Sequence, residues 1–312
     1  MCRMIGMVLS PSPNAADTAG AEFAPASLPS WQHLVGAPNS LREQALKGRV
    51  PVGSSPGHDD SWGIGWFDEA AQVSLLRQTG SAAESAFFVF ASEAAARTQA
   101  GSGPAHALIA HLRKASCGAV TSENSHPIRV EYRSGDSEDE RISGSKEPLL
   151  VAHNGTLRKP LLDILRGDLR NAHPIEAGSD SDTVVLAGWL AYKLSVSRAD
   201  SVFDSLADAL TNLFRTADTI ADGDRTRVYS GVNLLIIHAS GLYALRQFSR
   251  EEDYYTLSAR PLEKPGEAAG WVVASEATDD SLAWTPLTPG VLNFYPSQGT
   301  SGAAHTRQVA IN

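Results

Sequence analysis

The chain has 312 residues, of which 42% are hydrophobic and 20% charged, and its formal net charge is −9. This balance is typical of a globular protein with a sizeable core, and it argues against a nucleic-acid-binding surface, which needs a clustered basic face. No signal peptide is recognisable, and no apolar run reaches the roughly eighteen residues that predict a membrane span. The only cysteines, Cys2 and Cys117, are too few for a disulfide framework and predict a reducing, cytoplasmic location.

Strands dominate both ends of the predicted fold. Apolar or alternating segments predict strands at Cys2–Leu9, Ser61–Asp68, Gln72–Gln78, Ala105–Leu112, Pro148–His153, Val232–His238, Leu242–Gln247, Tyr254–Ser258, Trp271–Ala274 and Val291–Tyr295. Helical spacing predicts helices at Glu84–Gln99, Leu157–Leu169, Asp182–Ser195 and Asp200–Thr216, the third capped by Ser179 or Ser181. The middle of the charged segment 130–147 predicts an exposed loop or a hairpin tip. This order, without a repeat or linker, predicts two packed sheets flanked by helices in one domain over residues 1–312.

Cys2 directly follows the initiator Met1, and removal of Met1 is plausible because the Cys2 side chain is small. The product would carry a thiol and a free α-amine, whose reference pKa of about 7.7–8.0 leaves much of it neutral near pH 7–8. The amine could take the thiol proton, which makes a nucleophile with its own base. Taken alone, a cysteine at position 2 is more often an ordinary residue.

Three further segments carry groups that suit one reaction, and each has a simpler interpretation. Arg113 follows an apolar strand and can present its planar fork to a carboxylate, although a surface arginine is more common. The Asn154 amide and the backbone N–H of Gly155 can form an oxyanion hole, although Asn-Gly is usually a turn. Asp182 opens a helix, where it either accepts hydrogen bonds from a substrate ammonium or complements the helix dipole.

Other patterns carry less weight. The glycines between Trp62 and Trp66 allow close approach of backbone or ligand, with core packing of the tryptophans as the alternative. None of the nine histidines belongs to a ligand pair such as HExxH, so no metal site is expected. No glycine-rich loop indicates a nucleotide site, and no cofactor is expected.

Six motifs occur in an order and spacing that resemble the class II glutamine amidotransferases, a branch of the N-terminal nucleophile (Ntn) hydrolases. They are MCRMIG (1–6), DSWGIG (60–65), IAHLRKAS (109–116), ENSHP (123–127), HNG (153–155) and SDSDT (179–183). Together with WVVASE (271–276) and WTPL (284–287), they are most similar to the stand-alone predicted amidotransferases, which include the ergothioneine-pathway γ-glutamyl hydrolase. The resemblance implies an α+β, four-layer αββα sandwich.

The resemblance also implies a role for each candidate residue. Cys2 would be the nucleophile and its α-amine the base, while Asn154 and Gly155 would stabilise the oxyanion. Arg113 would bind the α-carboxylate of glutamine and Asp182 its α-ammonium, an assignment that fits the charges of a zwitterion. The expected cycle is thiolate attack on the γ-amide, formation of a γ-glutamyl thioester with loss of ammonia or an amine, and hydrolysis to glutamate.

The residues leave several alternatives open. The chain either releases ammonia from glutamine for a separate ammonia-accepting synthase or cleaves a dedicated γ-glutamyl amide, and a non-catalytic binding protein of the same fold is a further alternative. No nucleic-acid or membrane partner is expected. Ser61 and Asp59 depart from the stand-alone subfamily, which usually has glycine and a basic residue there, and Lys114 replaces the aromatic residue of larger amidotransferases. Lys114 agrees with the stand-alone subfamily, whereas the departures at Ser61 and Asp59 concern the shape of the pocket rim and not the chemistry.

Overall fold

The arrangement of strands and helices comes from a computed structural model that describes residues 2–9, 28–68, 70–99, 107–115, 119–134, 145–172, 181–264, 267–297 and 304–310. The strands in these ranges are β1 (Cys2–Leu9), β2 (Ser61–Phe67), β3 (Val73–Thr79), β4 (Ala107–Arg113), β5 (Ile128–Arg133), β6 (Lys146–Leu157), β7 (Tyr229–His238), β8 (Gly241–Leu245), β9 (Ser258–Lys264), β10 (Glu267–Ala274), β11 (Thr285–Pro286), β12 (Val291–Pro296) and β13 (His305–Gln308). The helices are α1 (Pro29–Trp31), α2 (Leu41–Lys47), α3 (Ala86–Gln99), α4 (Lys159–Ala172), α5 (Asp182–Val196) and α6 (Val202–Ala221), with a π-helical turn at Gln32–Gly36 and a 3₁₀ turn at Arg225–Arg227.

The strands form two antiparallel sheets. The seven-stranded sheet has the order β11-β9-β10-β1-β4-β2-β3, and the six-stranded sheet has the order β13-β12-β8-β7-β6-β5. Strand β1 pairs with β10 and β4 in the first sheet, and β6 pairs with β5 and β7 in the second. The strands that begin or end near the candidate site are therefore interior strands with a neighbour on each side.

Strand β1 shows why this part of the sequence is apolar almost throughout. Successive side chains of a strand point to opposite faces. Met4 and Val8 belong to the apolar cluster between the two sheets, whereas Ile5 and Met7 belong to the cluster beneath the outer helices. Because both faces are buried, the strand is a nearly continuous apolar run rather than an alternating one.

Helices cover the outer face of each sheet. Helices α2 and α3 contact the seven-stranded sheet, and α5 contacts the six-stranded sheet, with α4 and α6 packed beside it. Three buried apolar clusters fill the spaces between these four layers, one under each helical layer and one between the sheets. The predicted α+β, four-layer αββα sandwich is confirmed. No helix of the described residues is long and apolar enough to span a membrane.

The main correction to the predicted elements concerns the Asn154–Gly155 pair. The strand does not end at His153, because β6 continues to Leu157 and pairs Asn154 with Asn233 of β7. The turn interpretation of Asn-Gly is therefore wrong, since pairing with β7 outweighs the low strand propensity of the two residues. Helix α4 accordingly begins at Lys159, two residues later than predicted.

Other differences have local causes. Tyr254 does not begin a strand, because its N–H closes a turn on the carbonyl of Glu251 at 2.9 Å, and β9 starts at Ser258. Helix α2 was not expected, although Ser40 accepts a hydrogen bond from the N–H of Glu43, the S-x-x-E signature of a helix start. Strands β5 and β6 include the two ends of the charged segment, and its middle, residues 135–144, lies outside the described residues.

Candidate active site

Cys2 and Arg113 face each other across two neighbouring strands. The antiparallel register pairs Cys2 of β1 with Arg113 of β4, so both side chains lie on the same face of the sheet. This face is the inner one, because Met4 and Ile109 on the same two strands belong to the cluster between the sheets. Cys2 is a free cysteine with 6% of its surface exposed, and Arg113 is 7% exposed.

The Arg113 side chain is held at the end of its strand. Its Nη1 donates to the carbonyl of Ala119 at 2.9 Å, and its own carbonyl accepts from the N–H of Asp60 at 3.2 Å. Next to it, Lys114 Nζ donates to the carbonyls of Ser55 and Gly57 at 2.7 and 3.0 Å. Lys114 therefore ties the 55–57 segment to the end of β4.

Asn154 reaches Cys2 from the opposite sheet. Its Oδ1 accepts from the backbone nitrogen of Cys2 at 3.2 Å. Its Nδ2 is buried and has no hydrogen-bond partner among the described residues. A buried donor without a partner costs about 1–3 kcal/mol, and in native proteins such a group calls for an explanation. Here it supplies an unused N–H beside the thiol-bearing residue.

Gly155 follows Asn154 at a point of very close approach between strands. A Cβ at this position would lie 1.8 Å from the carbonyl oxygen of Gly231 in β7. Only glycine allows the two backbones to be this close. The Asn-Gly sequence is therefore explained by packing at this position as well as by its candidate role.

Asp182 is the first residue of α5, and its half-buried carboxylate binds the end of β6. Oδ2 accepts from the N–H of Leu157 at 2.8 Å, and Oδ1 accepts from the N–H of Thr183 at 2.9 Å. Oδ1 also accepts from the Thr183 hydroxyl at 3.5 Å, so a further hydrogen bond can be accepted at Oδ2. Ser181 occupies the predicted N-cap position, but its side chain makes no capping hydrogen bond, and Ser179 lies outside the described residues.

The structure thus connects the five predicted site residues in one chain of contacts. Cys2 pairs with Arg113 and bonds to Asn154, Asn154 is bonded covalently to Gly155, and Asp182 contacts the same strand two residues further on. Among the described residues Cys2 contacts Asn154 and Asp182 contacts Leu157, so a substrate would have to bridge the space between the thiol and this carboxylate.

A row of buried histidines lies behind the Asn154 segment. His126 Nδ1 is 3.1 Å from His111 Nε2, and it accepts from the N–H of His153 at 3.5 Å. His153 Nδ1 in turn lies 3.1 Å from Thr183 Oγ1. Burial lowers the pKa of His111 to about 3, and burial also holds the pKa of His126 far below its usual value. The two rings are therefore neutral at pH 7 and act as hydrogen-bonding supports.

The described part of the chain contains no cluster of three or more His, Cys, Asp or Glu side chains that could hold a metal ion. His106 and Cys117, two of the residues with potential ligand atoms, lie outside the described residues.

The Trp62–Trp66 segment packs in the core. Both tryptophans belong to the cluster under α2 and α3, and Trp62 meets the Phe88 ring edge-on with centroids 5.2 Å apart. A Cβ on Gly63 would lie 2.3 Å from the carbonyl oxygen of His126. Gly63 therefore allows the backbone at His126 to come close to β2.

Sequence reasoning assigned no role to three residues that contact Cys2 or its neighbour. Arg3 Nη1 donates to the Cys2 carbonyl at 3.0 Å and forms an ion pair with Glu276. The Tyr254 hydroxyl lies 3.5 Å from the same carbonyl. The sequence could have indicated a role for Arg3, because an arginine is unusual inside a strand that is apolar on both faces. Tyr254 and Glu276 lie far from Cys2 along the chain, and no local pattern indicates that they come close to it.

The sequence profile described as "Glutamine amidotransferases class-II" matches residues 45–310, most of the chain. The chain belongs to this family. No curated protein matches this class II glutamine amidotransferase by sequence.

Solved structures agree with the amidotransferase fold. A structure titled as the allosteric regulatory enzyme of purine biosynthesis has a TM-score of 0.57 at 18% identity, over 99% of this chain and 49% of its own. The glutamine phosphoribosylpyrophosphate amidotransferase of B. subtilis has a TM-score of 0.55 at 18% identity, over 99% and 50%. A glutamine aminotransferase class-II domain protein from Silicibacter pomeroyi has a TM-score of 0.50 at 16% identity, over 99% and 100%. The chain thus spans about half the length of the first two proteins, and these similarities concern the fold.

Proposed function

We propose that this class II glutamine amidotransferase hydrolyses the γ-amide of glutamine with Cys2 as nucleophile, after removal of Met1. The observation that carries the proposal is the contact between the Cys2 nitrogen and Asn154 Oδ1 at 3.2 Å, together with the buried Asn154 Nδ2, which has no hydrogen-bond partner among the described residues. An unpaired, fixed N–H beside a nucleophile suits an oxyanion that forms only during the reaction.

In the proposed reaction, the α-amine of Cys2 takes the thiol proton and the thiolate attacks the side-chain carbonyl carbon of glutamine. Asn154 Nδ2 and the N–H of Gly155 would bind the resulting oxyanion. The protonated amine then gives its proton to the leaving nitrogen, so that ammonia departs and a γ-glutamyl thioester remains. Attack by water, with the amine again as base, releases glutamate and restores the thiol.

The substrate head group would lie between Arg113 and Asp182. The guanidinium of Arg113 lies on the same face of its sheet as the thiol, where it would pair with the α-carboxylate. Asp182 Oδ2 accepts one hydrogen bond, from the N–H of Leu157, so it can accept another, and it would bind the α-ammonium. The ammonia acceptor would be a separate synthase. The stand-alone similarity of the motifs supports a second candidate, a dedicated γ-glutamyl amide hydrolase such as the one in the ergothioneine pathway.

The first test is the intact mass of the purified protein with and without a glutamine analogue that carries an electrophilic diazoketone. We expect a chain without Met1 and a single adduct on Cys2. The Cys2→Ser variant should take no label, while Cys117→Ser should be labelled like the wild type. A chain that retains Met1 and stays unlabelled would refute the mechanism, and binding of glutamine without labelling would favour the non-catalytic alternative.

The second test separates the two substrate classes. Glutamate release is measured from glutamine, from γ-glutamyl amides of larger amines, and from asparagine as a control for side-chain length. Strong release from glutamine by the isolated protein supports the glutaminase, and release from the larger amides alone supports the dedicated hydrolase. No release from any of them contradicts both.

A further inference from the structure

Arg3 is a fully buried cation one residue after Cys2. Its exposed fraction is 0%, and its strand neighbours Ile5 and Met7 on the same face belong to the apolar core under the helices. The Arg3 side chain therefore points away from the face that carries the Cys2 thiol. Burying an ion pair contributes little to stability compared with apolar residues of similar volume, so stability alone does not explain an arginine here.

Each of the three nitrogens of the Arg3 guanidinium has a partner, and one of these partners is the Cys2 carbonyl. Nε contacts the carboxylate of Glu276, Nη1 donates to the Cys2 carbonyl at 3.0 Å, and Nη2 donates to the carbonyl of Arg49. Glu276 also accepts from the N–H of Arg49 at 2.7 Å. The guanidinium carbon lies 4.5 Å from the centroid of the Tyr254 ring, a cation–π distance.

We propose that Arg3 is a positioning residue for the Cys2 nucleophile, and that the Arg3–Glu276 pair tunes the charge balance at the amine and thiol of Cys2. The inference rests on the proposed function, because it gives Arg3 a part in the chemistry of Cys2.

The positioning part follows from the substituents of the Cys2 Cα. Arg3 holds the carbonyl from one side, and Asn154 Oδ1 contacts the nitrogen from the other. With both backbone groups held, rotation about χ1 is the remaining freedom of the thiol. Removal of Met1 would free the nitrogen from its peptide bond, so the fixed carbonyl then carries more of the orientation.

The electrostatic part follows from distance. Arg3 Nη1 lies 3.0 Å from the Cys2 carbonyl oxygen, and standard backbone dimensions put that oxygen about 3.5 Å from the Cys2 nitrogen, so the nitrogen and the guanidinium are at most about 6.5 Å apart. A positive charge at this distance disfavours the protonated amine and favours the thiolate, and Glu276 opposes both effects. Other charged residues near this region include Arg113, paired with Cys2 in β4, and Lys114, together with Arg49 and Asp60, whose backbone N–H groups donate to Glu276 and to the Arg113 carbonyl.

Two titratable neighbours keep a constant charge around neutral pH. Burial, reinforced by the charge of Arg3, lowers the pKa of His58 to about 3, so the ring is neutral. Burial raises the pKa of Tyr254 far above neutral, so its hydroxyl keeps its proton. Changes in the pH profile on substitution of Arg3 or Glu276 therefore report the charges of those two residues.

The experiment measures the pH dependence of two rates, kcat/KM for glutamate release and alkylation of Cys2 by iodoacetamide, the latter followed by mass spectrometry of the N-terminal peptide. The variants are Arg3→Met, Arg3→Lys, Glu276→Gln and the double variant Arg3→Met/Glu276→Gln. The matched controls are Arg97→Met and Glu93→Gln, which alter an ion pair of the same type on the surface of α3.

Replacing Arg3 and replacing Glu276 should shift the pH profiles in opposite directions. Arg3→Met should move the acidic limb of both profiles to higher pH by about 0.5–1 unit, and Glu276→Gln should move it to lower pH by a similar amount. The double variant should return the limb toward the wild-type position. Arg3→Lys should keep the limb, because the charge is retained, and should lower kcat by about ten- to a hundredfold, because the fork is lost.

The inference is overturned if the limbs of Arg3→Met and Glu276→Gln coincide with the wild type, or if both move in the same direction. If Arg3→Met does not fold, Glu276→Gln still tests the electrostatic part through the shift of its limb, and Arg3→Lys tests the positioning part, which an unchanged kcat would overturn. Failure of the proposed function is recognised separately: no protein, wild type included, would then release glutamate, while the alkylation limbs still test the role of Arg3.

Discussion

Replacing Asn154 with leucine should lower activity strongly without the stability loss that a buried substitution usually brings. Leucine has nearly the same shape as asparagine but no donor or acceptor. If Asn154 Nδ2 binds the oxyanion, kcat should fall by about 10²–10³, the value of one oxyanion-hole donor, or about 3–4 kcal/mol. The measurement is glutamate release at saturating glutamine.

The stability side of this prediction follows from the unpaired donor. Removing the buried, partnerless Nδ2 recovers about 1–3 kcal/mol, and leaving the buried Cys2 nitrogen without its acceptor costs about 1–3 kcal/mol. The net change in the free energy of unfolding should therefore be close to zero and stay within about 2 kcal/mol in either direction, measured as a shift of the urea midpoint at constant m-value. An ordinary core substitution instead loses about 1 kcal/mol or more.

The structure offers a matched control in Asn233, which faces Asn154 in register and is equally buried. Its Oδ1 accepts from the N–H of Gln247 at 3.0 Å, and its Nδ2 donates to the carbonyl of Thr256 at 3.3 Å. Asn233→Leu leaves two buried partners unpaired and should lose about 2–6 kcal/mol. The reasoning is refuted if Asn154→Leu is as unstable as Asn233→Leu, or if its kcat stays within threefold of the wild type.

Three further predictions concern Gly155, Arg113 and His33. Gly155→Ala should lose about 1–3 kcal/mol or more by urea unfolding, because its Cβ would lie 1.8 Å from the Gly231 carbonyl oxygen. Arg113→Lys should raise KM for glutamine by about tenfold, because lysine keeps the charge but not the bidentate fork. Burial, with the nearby charge of Arg260, lowers the pKa of His33 to about 4. Between about pH 6.5 and 4 the unfolded chain therefore binds one more proton than the folded chain, so the free energy of unfolding falls as the pH falls. His33→Gln should reduce this pH dependence by about 1.4 kcal/mol per pH unit.

Each of these predictions has an outcome that contradicts it. A wild-type unfolding midpoint for Gly155→Ala would mean that β6 and β7 are not so close. An unchanged KM for Arg113→Lys, with kcat alone reduced, would remove Arg113 from substrate binding. An identical pH slope for wild type and His33→Gln, determined by urea unfolding between pH 4 and 7, would show that His33 titrates normally in the folded protein.

Local sequence patterns were sufficient to predict an element and its bounds where the segment has the same environment along its whole length. Strand β1 was predicted with the bounds it has, because burial on both faces makes it a continuous apolar run. The start of α5 was predicted at Asp182, where it lies. Helix α2 was missed although Ser40 and Glu43 carried its signature, because the segment is short and weakly periodic.

The candidate site was predictable only in part. Cys2, Arg113, Asn154, Gly155 and Asp182 were selected from motifs, and the structure links them by pairing and hydrogen bonds. The course of the chain at Asn154 was predicted wrongly. A strand rather than a turn forms there because the segment pairs with β7. Strand β7 lies more than seventy residues away along the chain, so no local sequence pattern predicts this pairing.

The sequence by itself determined the layered fold, the family resemblance and which side chains could carry the chemistry, because these depend on residue type and order. Only the tertiary structure decided that Asn154 reaches from one sheet to the Cys2 nitrogen in the other, that Arg3 and Tyr254 contact the Cys2 carbonyl, and that Glu276 pairs with Arg3. Glu276 lies 273 positions from Arg3 along the chain. Hydrogen bonds and buried ion pairs form between groups that are close in space, and that closeness exists only after both sheets have assembled.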